Sequence, residues 1–188
     1  MTACQIGKGR DVATMARRMN MPTANLRRLG AAVVLAAAAL VGTGTFFPRW
    51  WTGEQGGASM AVGLRQAILC GERGCATSGL ETLGTAQRTW ALAGATGFAI
   101  GCVTTFFLAL AAAMALARPA GGVWSGRVAR AAAGLSLFAL VVGIGFAWAY
   151  PGFAGLSLGP SPFLYLGGAA LGVGGAGVLL GRRGSSAG

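Results

Sequence analysis

Residues 89–117 read TWALAGATGFAIGCVTTFFLALAAAMALA, without one Asp, Glu, Lys or Arg. That run exceeds the ~17 to 25 residues a helix needs to cross a hydrocarbon core of about 30 Å. Three more charge-free stretches accompany it: Leu29 to Phe47, Ala131 to Tyr150 and Phe163 to Gly181. A backbone in hydrocarbon must satisfy its own hydrogen bonds, so the pattern predicts an all-α membrane protein, a four-transmembrane-helix bundle. The spans are expected at about 29–47, 90–117, 131–150 and 163–181, with a long loop over 48–89. At 188 residues, 54% apolar and only 10% charged, the chain is expected to form one transmembrane domain, residues 29–181. A flexible basic tail, residues 1–28, precedes it and a short tail, residues 182–188, follows.

Charge placement orients these spans. Lys8, Arg10, Arg17, Arg18, Arg27 and Arg28 precede the first, Arg118, Arg127 and Arg130 separate the second from the third, and Arg182 and Arg183 follow the fourth. The only acid among them is Asp11. The 48–89 loop mixes Arg49, Arg65, Arg73 and Arg88 with Glu54, Glu72 and Glu81, and residues 151–162 carry no charge. By the positive-inside rule both termini and the middle loop are cytoplasmic, in a plasma membrane or a bacterial inner membrane. The net charge of +11 therefore reads as topology and attraction to anionic lipid, with no nucleic-acid partner expected. The basic beginning followed by Ala31 to Val41 is also compatible with a secretory signal, which would leave three spans. Continuation of the apolar run to Phe47, with no clear small-x-small cleavage site, favours a span.

Trp50, Trp51, Trp90, Trp148, Tyr150 and Tyr165 all fall near the outer ends of the segments, where an aromatic belt at the headgroups is expected. Small residues predict close helix packing in the fourth segment. Gly168, Gly172 and Ala176 recur every four residues, as do Ala169, Val173, Gly177 and Gly181. Gly97 and Gly101 in the second segment, and Ala139, Gly143 and Ala147 in the third, offer matching ridges. No ionisable carboxylate, Lys, Arg or His lies within a span, which argues against a proton relay or an ion-coupled transporter. The chain has no His, the commonest metal ligand and neutral-pH general base. No catalytic residue, metal site or cofactor is expected.

Of four cysteines, Cys4 falls in the tail, Cys102 in mid-span, and Cys70 and Cys75 share the outward loop. An oxidising compartment favours a structural disulfide between that pair, with a tight turn over Gly71, Glu72, Arg73 and Gly74. Closing so short a ring is worth roughly 2 kcal/mol in the chain-entropy model. Residues 61–70 read as one strand leading into the turn, and Gly53, Gly56 and Gly57 as an irregular start to the loop.

This arrangement resembles the claudin and peripheral myelin protein superfamily. Trp51 (or Trp50) stands for its early loop Trp, Gly63-Leu64-Arg65 for its Gly-Leu-Trp, Cys70 and Cys75 for its cysteine pair, and Arg88 for its loop-end Arg. Leu83 to Leu92 resembles the family's approach to the second helix, Phe146-Ala147-Trp148 the end of the third, and Phe163 to Ala170 the opening of the fourth. Arg65 in place of Trp, the close cysteines and the short Trp-to-Gly-Leu spacing depart from the pattern. The resemblance implies a left-handed bundle carrying a small antiparallel β-sheet from the first extracytoplasmic loop, pinned by the disulfide. It also implies a non-enzymatic role through contact: lateral assembly, adhesion or barrier formation, with another copy or another membrane protein as partner. The alternatives are an accessory subunit of a larger membrane complex or channel, and a thiol/quinone oxidoreductase. The last is disfavoured because Cys4 and Cys102 sit at the wrong depth to serve as a second pair. An Arg to Lys ratio of 14 to 1 points to a GC-rich genome, where a tight junction has no counterpart.

Overall fold

Each charge-free segment is a helix in the computed structural model, which describes residues 23–55, 57–83, 88–117, 123–152 and 155–181. The helices are α1 (Thr23–Phe46), α2 (Arg88–Ala117), α3 (Val123–Trp148) and α4 (Ser161–Gly181), and all four are long and apolar enough to cross a membrane. Expectations for Cys4, most of the N-terminal tail and residues 182–188 lie outside the described residues. Residues 23–28, assigned by sequence to that tail, instead form the first turns of α1. Arg27 holds them there: its Nε donates to the Ala115 carbonyl at 2.5 Å, a last-turn acceptor of α2 that the helix itself leaves free. Helix α3 likewise begins before residue 131, because Arg127 and Arg130 ride on its first turns, where long side chains reach water without breaking the helix.

Proline sets several of the ends. Pro48 follows α1, Pro151 follows α3, and Pro162 occupies the first turn of α4, where its missing N–H loses no bond. Ser161 ties two ends together, its hydroxyl donating to the Phe47 carbonyl at 3.1 Å and its amide to that of Arg49 at 3.3 Å.

The helices pack in a ring, α1 on α2, α2 on α3, α3 on α4 and α4 back on α1. Tyr165 of α4 is the fully buried pin at its centre. Each of the other helices turns a glycine toward it. A Cβ built on Gly44 (α1) would lie 2.7 Å from the Tyr165 Cβ, one on Gly101 (α2) 2.9 Å from Cε2, and one on Gly143 (α3) 2.9 Å from Cε1. Its hydroxyl donates across the bundle to the Gly97 carbonyl at 3.1 Å. Thr104 adds a second interhelical bond, donating to the Leu135 carbonyl at 3.3 Å.

The proposed ridges of α4 divide between neighbours. Gly168 presses on α1, where a Cβ would come within 2.7 Å of Leu40 Cβ, and a Cβ on Gly172 would lie 2.6 Å from Ser136 Oγ and 3.2 Å from Leu108 Cδ2. Ala169 and Ala176 are buried, while Gly177 faces outward with nothing within 4 Å. Gly181 ends the helix. A period of four drifts around a 3.6-residue helix, so one ridge cannot stay on one partner.

A five-stranded antiparallel sheet covers one end of the bundle. Its strands are β1 (Trp51–Gln55), β2 (Ala58–Val62), β3 (Gln66–Gly71), β4 (Gly74–Gly79) and β5 (Leu156–Leu158), in the order β4-β3-β2-β1-β5. The first four come from the α1–α2 connection and β5 from the α3–α4 connection. Two sequence expectations change here. Residues 61–70 are not one strand: β2 and β3 are separated by a turn at Gly63 to Arg65, closed by the Gly63 amide on the Gln66 carbonyl at 2.8 Å. The glycine-rich start is not irregular at Gly53 and Gly57 either, while Gly56 lies outside the described residues. Gly53 lies within β1, paired with Met60 and Leu156, and Gly57 takes φ +79° in the hairpin to β2. A side chain at Gly53 would collide with the Gly155 carbonyl, so glycine there is what lets β5 join.

Candidate functional site

The side chains of a strand alternate, so the register assigns each residue a face. Trp51, Val62 and Ala67 share the face turned to the bundle, and all three are buried. Thr52, Ser59, Ala61, Ile68, Cys70 and Thr77 share the other face. It carries an open hollow of about 330 Å³ lined by Thr52, Ser59, Ile68, Cys70, Arg49 and Pro160. Among the described residues strand β4 pairs only with β3, leaving its outer edge free, and Gly74 to Ser78 are exposed along it. That edge bears no charged side chain, the usual guard against pairing with another strand. Leu69 and Leu158 project from the sheet about half exposed.

What holds the sheet is a set of buried rings. Trp50 and Trp51, expected in an aromatic belt, are 0% and 3% exposed. Trp51 stacks on Tyr150 at 4.6 Å and meets Phe146 edge-on at 5.1 Å, and Phe146 stacks on Trp90 at 5.0 Å. Trp50 packs edge-on against Phe146 at 5.2 Å and Tyr165 at 5.4 Å, so the rings run unbroken from the sheet to the central pin. Buried indole N–H groups require acceptors. Trp50 donates to the Gly44 carbonyl at 2.9 Å and Trp90 to that of Phe146 at 3.3 Å. Of the described belt candidates, Trp148 alone is openly exposed, at 89%. Composition identifies such rings as interfacial but cannot show that a sheet will cover them.

The turn at Gly63 to Arg65 is the second attachment. Leu64 is 2% exposed and enters α2 between two glycines: a Cβ on Gly94 would collide with the Leu64 carbonyl, and one on Gly97 would lie 3.3 Å from its Cδ2. Gly63 fits against Pro48, whose Cα a Cβ would approach to 2.8 Å. Arg65 places its guanidinium 5.0 Å from the centre of the Phe98 ring, a cation–π contact where the resembled motif has Trp. The Leu80 amide closes the far side on the Arg65 carbonyl at 3.1 Å. Trp51, Gly63 and Leu64 thus meet at one end of the bundle, whereas Arg88 opens α2 with an exposed side chain. Trp50, Phe146 and Tyr165, named in sequence only as belt or motif residues, and Leu80, not named there, belong to the same attachment. A glycine in each neighbouring helix at the depth of Tyr165 was the signal available.

Cys70 and Cys75 face each other directly across β3 and β4 and form a disulfide, with S–S 2.03 Å and Cα atoms 4.0 Å apart. Gly71 pairs with Gly74 to close the two-residue turn, with Gly74 at φ +110°. Cys102 is a free thiol in α2, partly buried rather than enclosed. Among the described residues, no three His, Cys, Asp or Glu side chains come together. Compared with known proteins, the chain matches no family and no curated sequence.

Proposed function

We propose that this chain is an integral membrane protein with cytoplasmic termini that acts by contact, in the manner of the claudin superfamily, and is not an enzyme. One observation carries the reading: strands from two separate interhelical connections join in a single sheet fixed to one end of the bundle, with a face and an uncharged edge left open. The resemblance implied such a sheet, and the disulfide between β3 and β4 agrees with it. The partner is a second copy or another membrane protein meeting the free β4 edge and the half-exposed Leu69 beside it. Two measurements test this. Reporters fused after Gly57 and after Gly122 must fall on opposite sides of the membrane, and equal sidedness removes the topology. Native mass measurement in mild detergent should give a ladder of homo-oligomers, and a stable monomer throughout would end the lateral-assembly reading. Co-purification of one defined partner would favour an accessory subunit instead.

A further inference from the structure

We propose that Arg65 is the phosphate-binding residue of a phospholipid site on the outside of the α1–α2 pair, at the edge of the hydrocarbon layer nearest the sheet. This rests on the helices spanning a membrane and not on the contact reading. Two contacts between the helices set the depth. At the end away from the sheet Arg27 of α1 bonds to the Ala115 carbonyl of α2, and at the sheet end the Phe46 ring meets the Phe98 ring edge-on at 5.5 Å. The part of α1 bounded by these contacts, Arg27–Phe46, has 20 residues. At about 1.5 Å per residue it rises about 30 Å, the thickness of the hydrocarbon core. Helix α2 has 30 residues. Its excess of about 15 Å, the part before Phe98, therefore stands beyond that layer, beside the sheet. Phe46 and Phe98 mark the level where acyl chains give way to glycerol and phosphate.

Arg65 is held at this level. Leu64 beside it is seated in α2, and the Leu80 amide bonds to the Arg65 carbonyl, so its backbone is fixed to the bundle on one side and to the sheet on the other. The side chain is exposed, with the guanidinium 5.0 Å from the centre of the Phe98 ring. The ring attracts the charge but supplies no oxygen for the five N–H donors. Among the described residues no carboxylate pairs with them. Glu81, next after Leu80, holds its own carboxylate against Gly79. Water satisfies such donors without neutralising the charge, whereas a phosphate does both, since the planar fork matches two phosphate oxygens. The bilayer places its phosphodiesters at this depth. Phe46, 62% exposed, offers its ring to the first methylenes of the acyl chain below. The occupant is thus recognised by its phosphate, and a zwitterionic headgroup serves.

The test is native mass measurement of lipid adducts on the full-length protein in mild non-ionic detergent, titrated with phosphatidylcholine or with diacylglycerol of the same chains. The wild type should retain one phosphatidylcholine at least tenfold more tightly than diacylglycerol, which lacks the phosphate. Arg65→Gln should weaken the phosphatidylcholine adduct about tenfold or more, the range of a charge-assisted hydrogen bond. Phe98→Leu removes the ring beside the guanidinium and should weaken it about two- to fivefold. Arg73→Gln takes the same charge from the exposed turn between β3 and β4 and should leave the adduct within about twofold. The proportion of homo-oligomers should be the same in Arg65→Gln as in the wild type, which separates a failure here from a failure of the contact reading. Equal retention of the two lipids by the wild type, equal effects of Arg65→Gln and Arg73→Gln, displacement of the lipid by millimolar inorganic phosphate, or loss of oligomers in Arg65→Gln would each overturn the proposal.

Discussion

Replacing Leu64 by Ala should release the sheet from the bundle while leaving the four helices in place. The residue is 2% exposed, its carbonyl against Gly94 and its side chain against Gly97, which has no side chain that could move into the space vacated. Leu-to-Ala changes in cores cost about 2.7 to 5.0 kcal/mol, more where the site cannot collapse. Here the backbone of α2 forms one wall, so a loss of about 3 to 4 kcal/mol is expected. The loss falls on the step in which the sheet detaches. Amide hydrogen exchange across β2 and β3 reads that step directly, and 3 to 4 kcal/mol corresponds to acceleration between about 100- and 1,000-fold. Exchange in the middle of α2 and α4 should change little, because those amides open only with the bundle. Ile68→Ala, half-buried on the opposite face, provides the control and should cost about 1 kcal/mol or less. Acceleration below tenfold in β2 and β3 for Leu64→Ala, or equal acceleration for the two variants, would refute the attachment argued here.

Gly101→Val should lower the thermal midpoint in detergent by the equivalent of about 1 to 3 kcal/mol, since the new side chain collides with Thr45 of α1 and presses on the Tyr165 ring. Gly145→Ala meets nothing within 4 Å and should hold or slightly raise that midpoint, so equal losses in the pair would show that the crowding between Gly101, Thr45 and Tyr165 is unimportant. Tyr165→Phe keeps the ring and removes the bond to Gly97, for a loss of about 1 kcal/mol by the same melting assay; a loss above about 3 kcal/mol would mean that the hydroxyl rather than the ring is the pin. The Cys70→Ala, Cys75→Ala double variant removes roughly 2 kcal/mol of chain restraint from the β3–β4 hairpin. It should speed amide exchange at Ala76 to Ser78 without moving the helix melting point, and a comparable fall in helix melting would contradict the local role.

The helices were legible in sequence because hydrocarbon imposes one demand, about twenty residues without charge, that nothing else in the chain imitates. Their starts were less so. Charge marks where lipid ends, not where a helix ends, so Arg27, Arg127 and Arg130 read as loop although each lies in a helix. The sheet was legible mainly through its disulfide and turn. Strand β5 has three residues and little signal of its own: Leu156 to Leu158 becomes a strand because β1 offers an edge and Gly53 leaves room. The attachment residues were visible as residue types but not as a cluster, because an indole suits a headgroup region and a covered interface equally well. Only the register, which turns Trp51 and Val62 to the same face, separates the two.

That cluster also decides what kind of surface the sheet can be. A connection of some forty residues tethered only at its ends would have to be ordered whenever it met a partner, and each side chain fixed on binding costs about 0.5 to 1.5 kcal/mol. Here much of the ordering is completed in the free protein. Trp50 bonds to α1 and packs on Tyr165 of α4, Trp51 packs edge-on against Phe146 of α3, and Leu64 is seated in α2, so the sheet is fixed to all four helices. The free β4 edge is the exception. Among the described residues it pairs only with β3, to which the disulfide also ties it, and Gly74 to Ser78 are in the open. Rigidity at the base and freedom at the edge are what a contact surface requires: affinity is not spent on ordering the whole connection, and of the two edge strands β4, with six residues against the three of β5, is the one with length enough to pair.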